Sequence, residues 1–195
     1  MSPPITAADI PIDKPALRRY YRELRRQWLP RVESSLRQQV GRLLSHHRGQ
    51  GRIGLYTPLR GEANLLRPLI TGLPGLEGRL ALPAVDAGEL LYRPWAPGDP
   101  LLPDACGIPA PAADRCALAP EALDLLLIPA LAIDHQGIRL GYGGGWYDRL
   151  RGQAGWRNLA TLAVLPQACL ATKLPPDPWD IPLQGWVSEQ GPTWL

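Results

Sequence analysis

The stretch IPALAIDHQGIRLGYGGGWYDRL, residues 128–150, decides the interpretation of this chain. An almost continuous apolar run at 123–128 leads into it, which predicts a central strand covered on both faces. Glycine occupies positions 141, 143, 144 and 145, and residues 144–150 are expected to start a helix. Such a loop lets the backbone approach a ligand closely and turn several N–H groups towards an anion.

The side chains around these glycines favour a phosphate site. By glycine content alone, a flexible turn is an equally good interpretation. The loop has neither the Gly-Lys-Ser/Thr of a P-loop nor the Rossmann glycine spacing. However, Arg139 and Arg149 add positive charge, and Asp148 could hold a magnesium ion that bridges phosphates. Asp134 could contribute to the site or brace the loop through backbone hydrogen bonds.

The rest of the chain predicts a layered α/β domain with a mainly parallel sheet flanked by helices. Asp13 is expected to cap a helix that Pro30 ends, and a second helix should run from Val32 to Gly49. Asn64 could cap a short helix through Ile70. Between residues 94 and 120 the Pro-rich chain suggests an irregular surface excursion. Strands are expected at 52–56, 80–82, 90–92, 123–128, 159–164 and, at the sheet edge, 186–188.

Length and composition indicate an ordinary soluble protein. A chain of 195 residues, 45% hydrophobic and 20% charged, predicts a flexible arm at 1–12 followed by a single domain at 13–195. No apolar stretch reaches membrane-spanning length, and residues 1–11 do not resemble a secretory signal. The three cysteines have no zinc-like spacing and are expected to be reduced. We therefore predict a cytoplasmic location, a monomer and no membrane partner.

The N-terminal region carries most of the positive charge. Residues 14–52 hold 11 basic side chains and two acidic ones, although the net charge of the chain is only +3. This excess could suit nucleic acid or a polyanionic small molecule, or it could be a solvated helix face.

Several segments together resemble the 5-formyltetrahydrofolate cyclo-ligase family, also called methenyltetrahydrofolate synthetases. The family pattern is matched by PALAID at 129–134 and by RLGYGGGWYD at 139–148. Its amino-terminal Lys-x-x-Leu-Arg is matched at residues 14–18, and YTPLRGE at 56–62 resembles its folate-contacting strand and loop. The resemblance covers roughly residues 13–190 and implies a fold like that of NagB, RpiA and the CoA transferases.

The resemblance implies an ATP- and Mg²⁺-dependent enzyme that converts 5-formyltetrahydrofolate to 5,10-methenyltetrahydrofolate and releases ADP and phosphate. The formyl oxygen would attack the γ-phosphate to give an N5-iminium phosphate, and N10 would then close the ring. No enzyme nucleophile is needed, so the protein must position substrates and neutralise phosphate charge.

The resemblance also assigns roles to residues. Lys14 and Arg139 are the expected catalytic residues, and Asp148 and Asp180 are the expected metal ligands. The reduced folate is expected to contact Tyr56 and Glu62 together with residues 143–147. The expected ATP-binding residues are Lys14, Arg18, Arg139, Leu140, Gly141, Tyr142, Gly143, Gly144, Gly145, Trp146 and Tyr147.

The sequence departs from the family pattern at a few positions, and two other functions are alternatives. The departures include Ala110, Pro166, Trp179 and Gln184, the last where the family has an acidic residue. One alternative is a non-catalytic relative that binds nucleotide or RNA through the basic helix, although nucleic acid is not the favoured partner. The other is an ATP-dependent ligase or kinase acting on a different anionic substrate.

Overall fold

The central element of the computed structural model is a seven-stranded, mostly parallel sheet. The structure describes residues 13–66, 76 and 78–195. Its strands are β1 (Arg52–Gly54), β2 (Leu80–Asp86), β3 (Glu89–Trp95), β6 (Leu123–Pro129), β9 (Thr161–Val164), β11 (Gly185–Ser188) and β12 (Gly191–Trp194). Their spatial order in the sheet is β12-β11-β9-β6-β1-β2-β3, and only the pairings at its two edges are antiparallel.

Strand β6 lies at the centre of the sheet because both of its faces are apolar. Leu126 and Ile128 pack in one core, and Leu125 and Leu127 pack in the other. All four are at most 1% exposed, and β6 pairs in parallel with β1 and with β9. The predicted fold class is thus confirmed as mixed α/β with a mainly parallel sheet. The proposed resemblance to a particular named fold stays a prediction.

The expected break at Pro30 is wrong, because one helix, α1, runs from Lys14 to His46 with Pro30 inside it. A mid-helix proline removes a backbone hydrogen bond and costs about 3 kcal/mol. Here the proline ring is exposed, while Leu29 before it and Leu36 and Val40 after it are buried in one core. Burying each such side chain stabilises the protein by about 1.5–3 kcal/mol, so the three together outweigh the cost of the proline. The predicted cap is present, with the Ala16 amide donating to Asp13 at 2.7 Å.

Several other boundaries differ from the predicted ones. Strands β2 and β3 extend to Asp86 and Trp95, because they form a continuous antiparallel hairpin around Ala87 and Gly88. Between them and β6, a two-stranded ribbon of β4 (Leu101–Pro103) and β5 (Pro109–Pro111) replaces part of the expected irregular excursion. Strand β11 is not the edge strand, since β12 covers it. The arm at 1–12 and the helix expected between Asn64 and Ile70 lie outside the described residues, apart from the start of the latter.

A small second sheet positions the glycine loop. It contains β7 (Ala132–Asp134), β8 (Arg139–Leu140) and β10 (Leu170–Ala171). The loop follows β8 and enters helix α2 (Trp146–Gly152), so it is fixed at both ends. Within the described residues, no helix is both long enough and apolar enough to cross a bilayer.

Arg151 on α2 is a buried cation whose described hydrogen-bond partners are oxygens of neutral groups. It donates to the carbonyls of Ile181 and Pro182 at 2.9 and 3.1 Å and reaches the side-chain oxygen of Gln184 at 3.5 Å. Burial lowers the pKa of Arg151 to about 10. The same Gln184 oxygen accepts the Thr161 amide at 2.9 Å. Gln184 therefore links α2 to β9.

We predict that Gln184→Glu stabilises the protein. The carboxylate would still accept from Thr161 and would also pair with Arg151, so the free energy of unfolding at pH 7 should rise by about 1 kcal/mol. Pairing lowers the pKa of the new carboxyl group in the folded state, so the gain should disappear as pH falls through that lowered pKa. Urea denaturation at pH 7 and at acidic pH measures both effects.

A matched variant, Gln184→Met, keeps the size of the side chain but cannot accept from Thr161. Its free energy of unfolding should be about 1–2 kcal/mol below that of wild type at both pH values. A Gln184→Glu protein no more stable than wild type at pH 7 would contradict the pairing with Arg151.

Candidate active site

A cleft of about 290 Å³ opens at the carboxyl ends of the parallel strands β1, β2 and β6. Ligands of open α/β sheets bind at this edge. The chain after β1 contributes Tyr56 and Glu62, and the end of β6 contributes Pro129. Every residue that the sequence assigned to ATP, folate or metal lines this one cleft, although the elements that carry them are far apart in the chain.

The glycine loop forms one wall of the cleft and contacts α1 directly. The Arg18 guanidinium donates to the Gly141 carbonyl at 3.1 Å. Gly143 has a φ of +105° and Gly145 a φ of +66°, values that residues other than glycine rarely adopt. At Gly141, a Cβ would lie 2.7 Å from the Arg139 guanidinium. The loop therefore needs its glycines both for its conformation and for close contact with two arginines.

Arg139 is almost fully enclosed and is paired with the residue expected to bind metal. Its side chain is 7% exposed and donates to Asp148 at 2.8 Å. It also reaches the Pro129 carbonyl at 3.3 Å, and its guanidinium lies 5.5 Å from the centre of the Tyr147 ring. Its position is thus fixed between the end of β6 and α2.

Lys14 forms a second ion-pair cluster in the cleft. Its ammonium group lies 2.5 Å from Asp177 and 2.7 Å from Asp180. Burial alone would lower the pKa of Lys14, but the bonds to both carboxylates outweigh it, and the pKa lies above its ordinary value. Lys14 is therefore a fixed cation at neutral pH. The sequence did not indicate Asp177, because no pattern marks it.

Glu62 is buried without full hydrogen bonding. It is 8% exposed, and one carboxylate oxygen accepts the Leu59 amide at 2.8 Å. The other oxygen has no hydrogen-bond partner among the described residues. Burial raises the pKa of Glu62, although the Leu59 amide, the nearby Tyr142 hydroxyl and the charge of Arg25 oppose the rise. A buried carboxylate with an unused oxygen is suited to accept a hydrogen bond from a ligand.

Polar side chains near Glu62 share this property. The hydroxyls of Thr57 and Tyr142 are buried in the cleft wall and also have no partner in the described part of the chain. Tyr56 differs, because its hydroxyl donates to the Ala63 carbonyl at 2.9 Å and only its ring remains for a ligand. The cleft also has an apolar wall, which consists of Pro83, Val85, Leu90 and Ile108.

Sequence reasoning missed several of these residues. The apolar wall belongs to no local motif, and Thr57 has a sequence context like that of many loop threonines. The helical spacing of Leu17, Tyr20, Tyr21, Leu24 and Trp28 predicts one apolar face for the first helix, with Arg25 off it. Arg25 is nevertheless 4% exposed and lies 5.1 Å from the centre of the Tyr142 ring, whereas Trp28 is 39% exposed.

Asp134 braces the loop, as one of the two interpretations of the sequence has it. It is 1% exposed and accepts the amides of Gln136, Ile138 and Leu174 at 2.8–3.0 Å. It therefore supports the cleft from beneath and does not line it.

Most departures from the family pattern lie away from the cleft. Ala110 is buried in β5, and Pro166 begins a short 3₁₀ turn. Gln184 points to Thr161 and Arg151, as described above. Trp179 is the exception, because it lines the mouth of the cleft while 66% of its surface is exposed.

Comparison with known proteins gives a consistent family assignment. The model of the 5-formyltetrahydrofolate cyclo-ligase family matches residues 12–189. The chain is 35% identical over 142 residues to the Escherichia coli K12 5-formyltetrahydrofolate cyclo-ligase, which covers 70% of this chain and 76% of that protein. It is 31% identical over 158 residues to the Haemophilus influenzae 5-formyltetrahydrofolate cyclo-ligase, which covers 78% and 82%.

Solved structures share the fold. The Aquifex aeolicus 5,10-methenyltetrahydrofolate synthetase, solved by NMR, superposes with a TM-score of 0.76 at 28% identity over 93% of this chain and 92% of that one. The Mycoplasma pneumoniae synthetase gives a TM-score of 0.71 at 21% identity over 91% and 99%. The α/β fold and its cleft are thus those of an enzyme in the ligase class. More specifically, the chain belongs to the 5-formyltetrahydrofolate cyclo-ligase family.

We predict that Glu62→Gln makes the protein more stable at neutral pH and less active. A carboxyl group with a raised folded pKa stabilises most while protonated, so wild type should lose stability as pH rises from about 4.5 through that raised value. The amide of the variant carries no charge, so the variant should not lose stability in this way as pH rises. Thermal melts between pH 4 and pH 8 measure the difference, which should grow with pH.

Activity should fall at least about tenfold in Glu62→Gln if its free oxygen contacts substrate. Glu121→Gln is the matched control, because Glu121 is exposed and lies outside the cleft. Equal activity in both variants would remove Glu62 from substrate binding, and parallel pH–stability curves for wild type and Glu62→Gln would contradict the burial of its charge.

Proposed function

We propose that this protein converts 5-formyltetrahydrofolate and ATP to 5,10-methenyltetrahydrofolate, ADP and phosphate, with Mg²⁺. The observation that carries the proposal is one cleft with two chemically different walls. One wall holds Lys14, Arg18, Arg139 and the glycine loop, and the other combines an apolar surface with under-bonded polar groups. The first suits a polyphosphate and the second suits a flat heterocycle with hydrogen-bonding edges.

The basic wall would bind ATP. The amides of residues 143–145 would approach the phosphates. Trp146 and Tyr147, at the start of α2, would lie beside the phosphates. Arg18 and Arg139 present planar guanidinium groups, which match phosphate oxygens in a bidentate manner. Both are held in place, Arg18 by the Gly141 carbonyl of the loop and Arg139 by Asp148 on α2. The charges are thus positioned before a substrate binds, which is the main requirement of phosphoryl transfer.

The reduced folate would lie against the apolar wall with its pterin near Glu62. The unused oxygen of Glu62 would accept an N–H of the pterin. Tyr142 would donate its hydroxyl hydrogen nearby, since burial keeps its pKa well above the ordinary value and the proton stays on it. Placed this way, the formyl group would point towards the glycine loop.

The reaction then needs positioning and charge neutralisation only. The formyl oxygen attacks the γ-phosphorus and ADP leaves, which gives the N5-iminium phosphate. N10 attacks the activated carbon and gives up its proton, and phosphate leaves with the former formyl oxygen. Lys14 and Arg139 would neutralise the negative charge on the transferring phosphoryl group. The apolar wall would reduce the access of water to this step.

Magnesium fits the carboxylates of the cleft. Asp148 and Asp180 supply the hard oxygen ligands that Mg²⁺ prefers, and the ion commonly uses only one or two carboxylates together with phosphates. When bound, the ion would shield charge on the phosphates.

The proposal is tested by near-ultraviolet absorbance of the methenyl product after mixing protein, 5-formyltetrahydrofolate, ATP and Mg²⁺. Absorbance should rise only when all three are present, and ADP should form in equal amount. ATP binding without product from folded protein would instead favour a ligase or kinase for another anion. Failure to bind ATP, together with RNA binding, would favour the non-catalytic alternative.

Asp148→Asn should raise the Mg²⁺ concentration needed for half-maximal rate by at least about tenfold. The amide oxygen can still accept from Arg139, so the variant should fold with an unchanged melting temperature within a few degrees. Titration of the initial rate with Mg²⁺ measures the effect. Asp177→Asn is the matched control, because it removes the same charge from the same cleft but is not an expected metal ligand. An unchanged Mg²⁺ requirement in Asp148→Asn, or an equal shift in both variants, would reject the assignment.

A further inference from the structure

Arg25 is a cation in the buried row of α1, and no step described above uses it. Tyr21, one turn before it, and Leu29, one turn after it, are buried hydrophobic residues, and Arg25 between them is 4% exposed. Burying a charged side chain is unfavourable unless other groups compensate the charge. Residues that break the local pattern in this way are typical of functional sites.

Few contacts compensate the charge of Arg25. Its described side-chain hydrogen bond is a long one of 3.4 Å to the carbonyl of Ala130, which directly follows β6. Within residues 13–66, 76 and 78–195, no carboxylate forms an ion pair with it. The positive charge of this guanidinium is therefore free to act on the groups around it.

The guanidinium of Arg25 lies against the part of the cleft wall that contains Glu62 and Tyr142. Its central carbon is 5.1 Å from the centre of the Tyr142 ring, which is a cation–π contact. At Gly61, the residue before Glu62, a Cβ would lie 3.6 Å from an Arg25 nitrogen. Glu62 and Tyr142 line the cleft, whereas Arg25 does not. Arg25 therefore reaches this wall without facing the cleft.

Charged and titratable groups from five parts of the chain surround Glu62. They come from α1, the chain after β1, β8, the glycine loop and α2, and are Arg25, Tyr56, Arg139, Tyr142 and Tyr147. Burial raises the pKa of all three tyrosines, so their hydroxyls are uncharged at neutral pH. Arg139 is paired with Asp148 at 2.8 Å. Among these described groups, Arg25 is thus the cation near Glu62 that no carboxylate pairs.

We propose that Arg25 is a positioning residue of the folate site, which acts by keeping Glu62 in its carboxylate form. This inference rests on the proposed function, in which Glu62 accepts a hydrogen bond from the pterin. Burial favours the protonated form of Glu62 and raises its pKa, and the positive charge of Arg25 opposes that rise. The charge acts across a buried region of low effective dielectric, where it has a stronger effect than in water.

The test follows the pH dependence of kcat/KM for 5-formyltetrahydrofolate in Arg25→Met. Methionine fills most of the same space without a charge, and removing an unpaired buried charge should preserve the fold. Because binding needs ionised Glu62, kcat/KM of wild type should fall as pH decreases through the pKa of Glu62. Loss of the cation raises that pKa, so the half-maximal point should move up by about one pH unit. Below both half-maximal points, kcat/KM should be about tenfold below that of wild type, while the KM for ATP is unchanged.

Two further single variants separate the charge of Arg25 from its shape and from the charge of the helix. Arg25→Lys keeps a positive charge and should return the half-maximal pH close to that of wild type. Arg42→Met removes a charge from an exposed position of the same helix, about 25 Å from Arg25, and should have no effect. The proposal is wrong if the half-maximal pH does not move in Arg25→Met, is not restored in Arg25→Lys, or moves equally in Arg42→Met.

A double variant distinguishes this electrostatic role from a structural one. Glu62→Gln has no carboxyl group to ionise, so adding Arg25→Met to it should change kcat/KM at pH 6 by less than about twofold. If Arg25 only supported the fold of the wall, its loss would lower kcat/KM by the same factor whether residue 62 is Glu or Gln. That result would contradict the proposal.

Stability measurements test the effect of Arg25 on Glu62 without turnover. The free energy of unfolding of Glu62→Gln, relative to protein with Glu62, should increase with pH until Glu62 is fully ionised in the folded state. In the Arg25→Met background this increase should continue to a higher pH than with Arg25 present. Identical pH ranges would overturn the proposal. If the ranges differ as expected but wild type forms no methenyl product, the charge effect on Glu62 stands and the proposed reaction is rejected.

Discussion

The buried carboxylate of Asp134 is the interaction on which the cleft depends. It accepts two amides from its own turn and a third from Leu174, 40 residues later. One side of this junction leads into Arg139 and the glycine loop, and the other leads into the segment that carries Asp177 and Asp180. A shared buried acceptor therefore holds in a fixed relation the two segments that carry these charged residues. Gly137 in the same turn lets the chain pack closely on Leu183, since a Cβ there would lie 2.4 Å from the Leu183 carbonyl oxygen.

Much of the fold could be predicted because its signals are local. The apolar run of β6 and the cap at Asp13 can both be identified from residues that are close together in the sequence. The error at Pro30 has a tertiary cause, because a proline breaks a helix only when nothing else holds the two halves together. Here Leu29, Leu36 and Val40 insert into the same core on both sides of it. The sheet edge was misassigned for a related reason, since Gly191–Trp194 is a short strand with little apolar character that forms by pairing with β11.

The candidate site divides in the same way. Motif residues such as Arg139, Glu62 and Asp148 could be identified from a family resemblance, and the fold brings them into one cleft. The residues that surround them could not. Asp177 is informative only once it is seen beside Lys14, and Arg25 sits at a helix position that periodicity assigns to solvent. Their surroundings are created by contacts between segments more than 100 residues apart, which no single-sequence pattern encodes.

The two acid–base clusters of the cleft bear on selectivity. Lys14 is held by Asp177 and Asp180, and Arg139 is held by Asp148. An anion that binds Lys14 and Arg139 must break their ion pairs with these carboxylates. The carboxylates would then be unpaired in a partly buried site, where an uncompensated charge is strongly unfavourable. Inorganic phosphate alone would bring no replacement. A nucleotide bound to a divalent cation would supply positive charge to the carboxylates and, at the same time, negative charge to Lys14 and Arg139. The paired cleft would thus act as a filter that accepts a metal-chelated nucleotide and discriminates against bare anions.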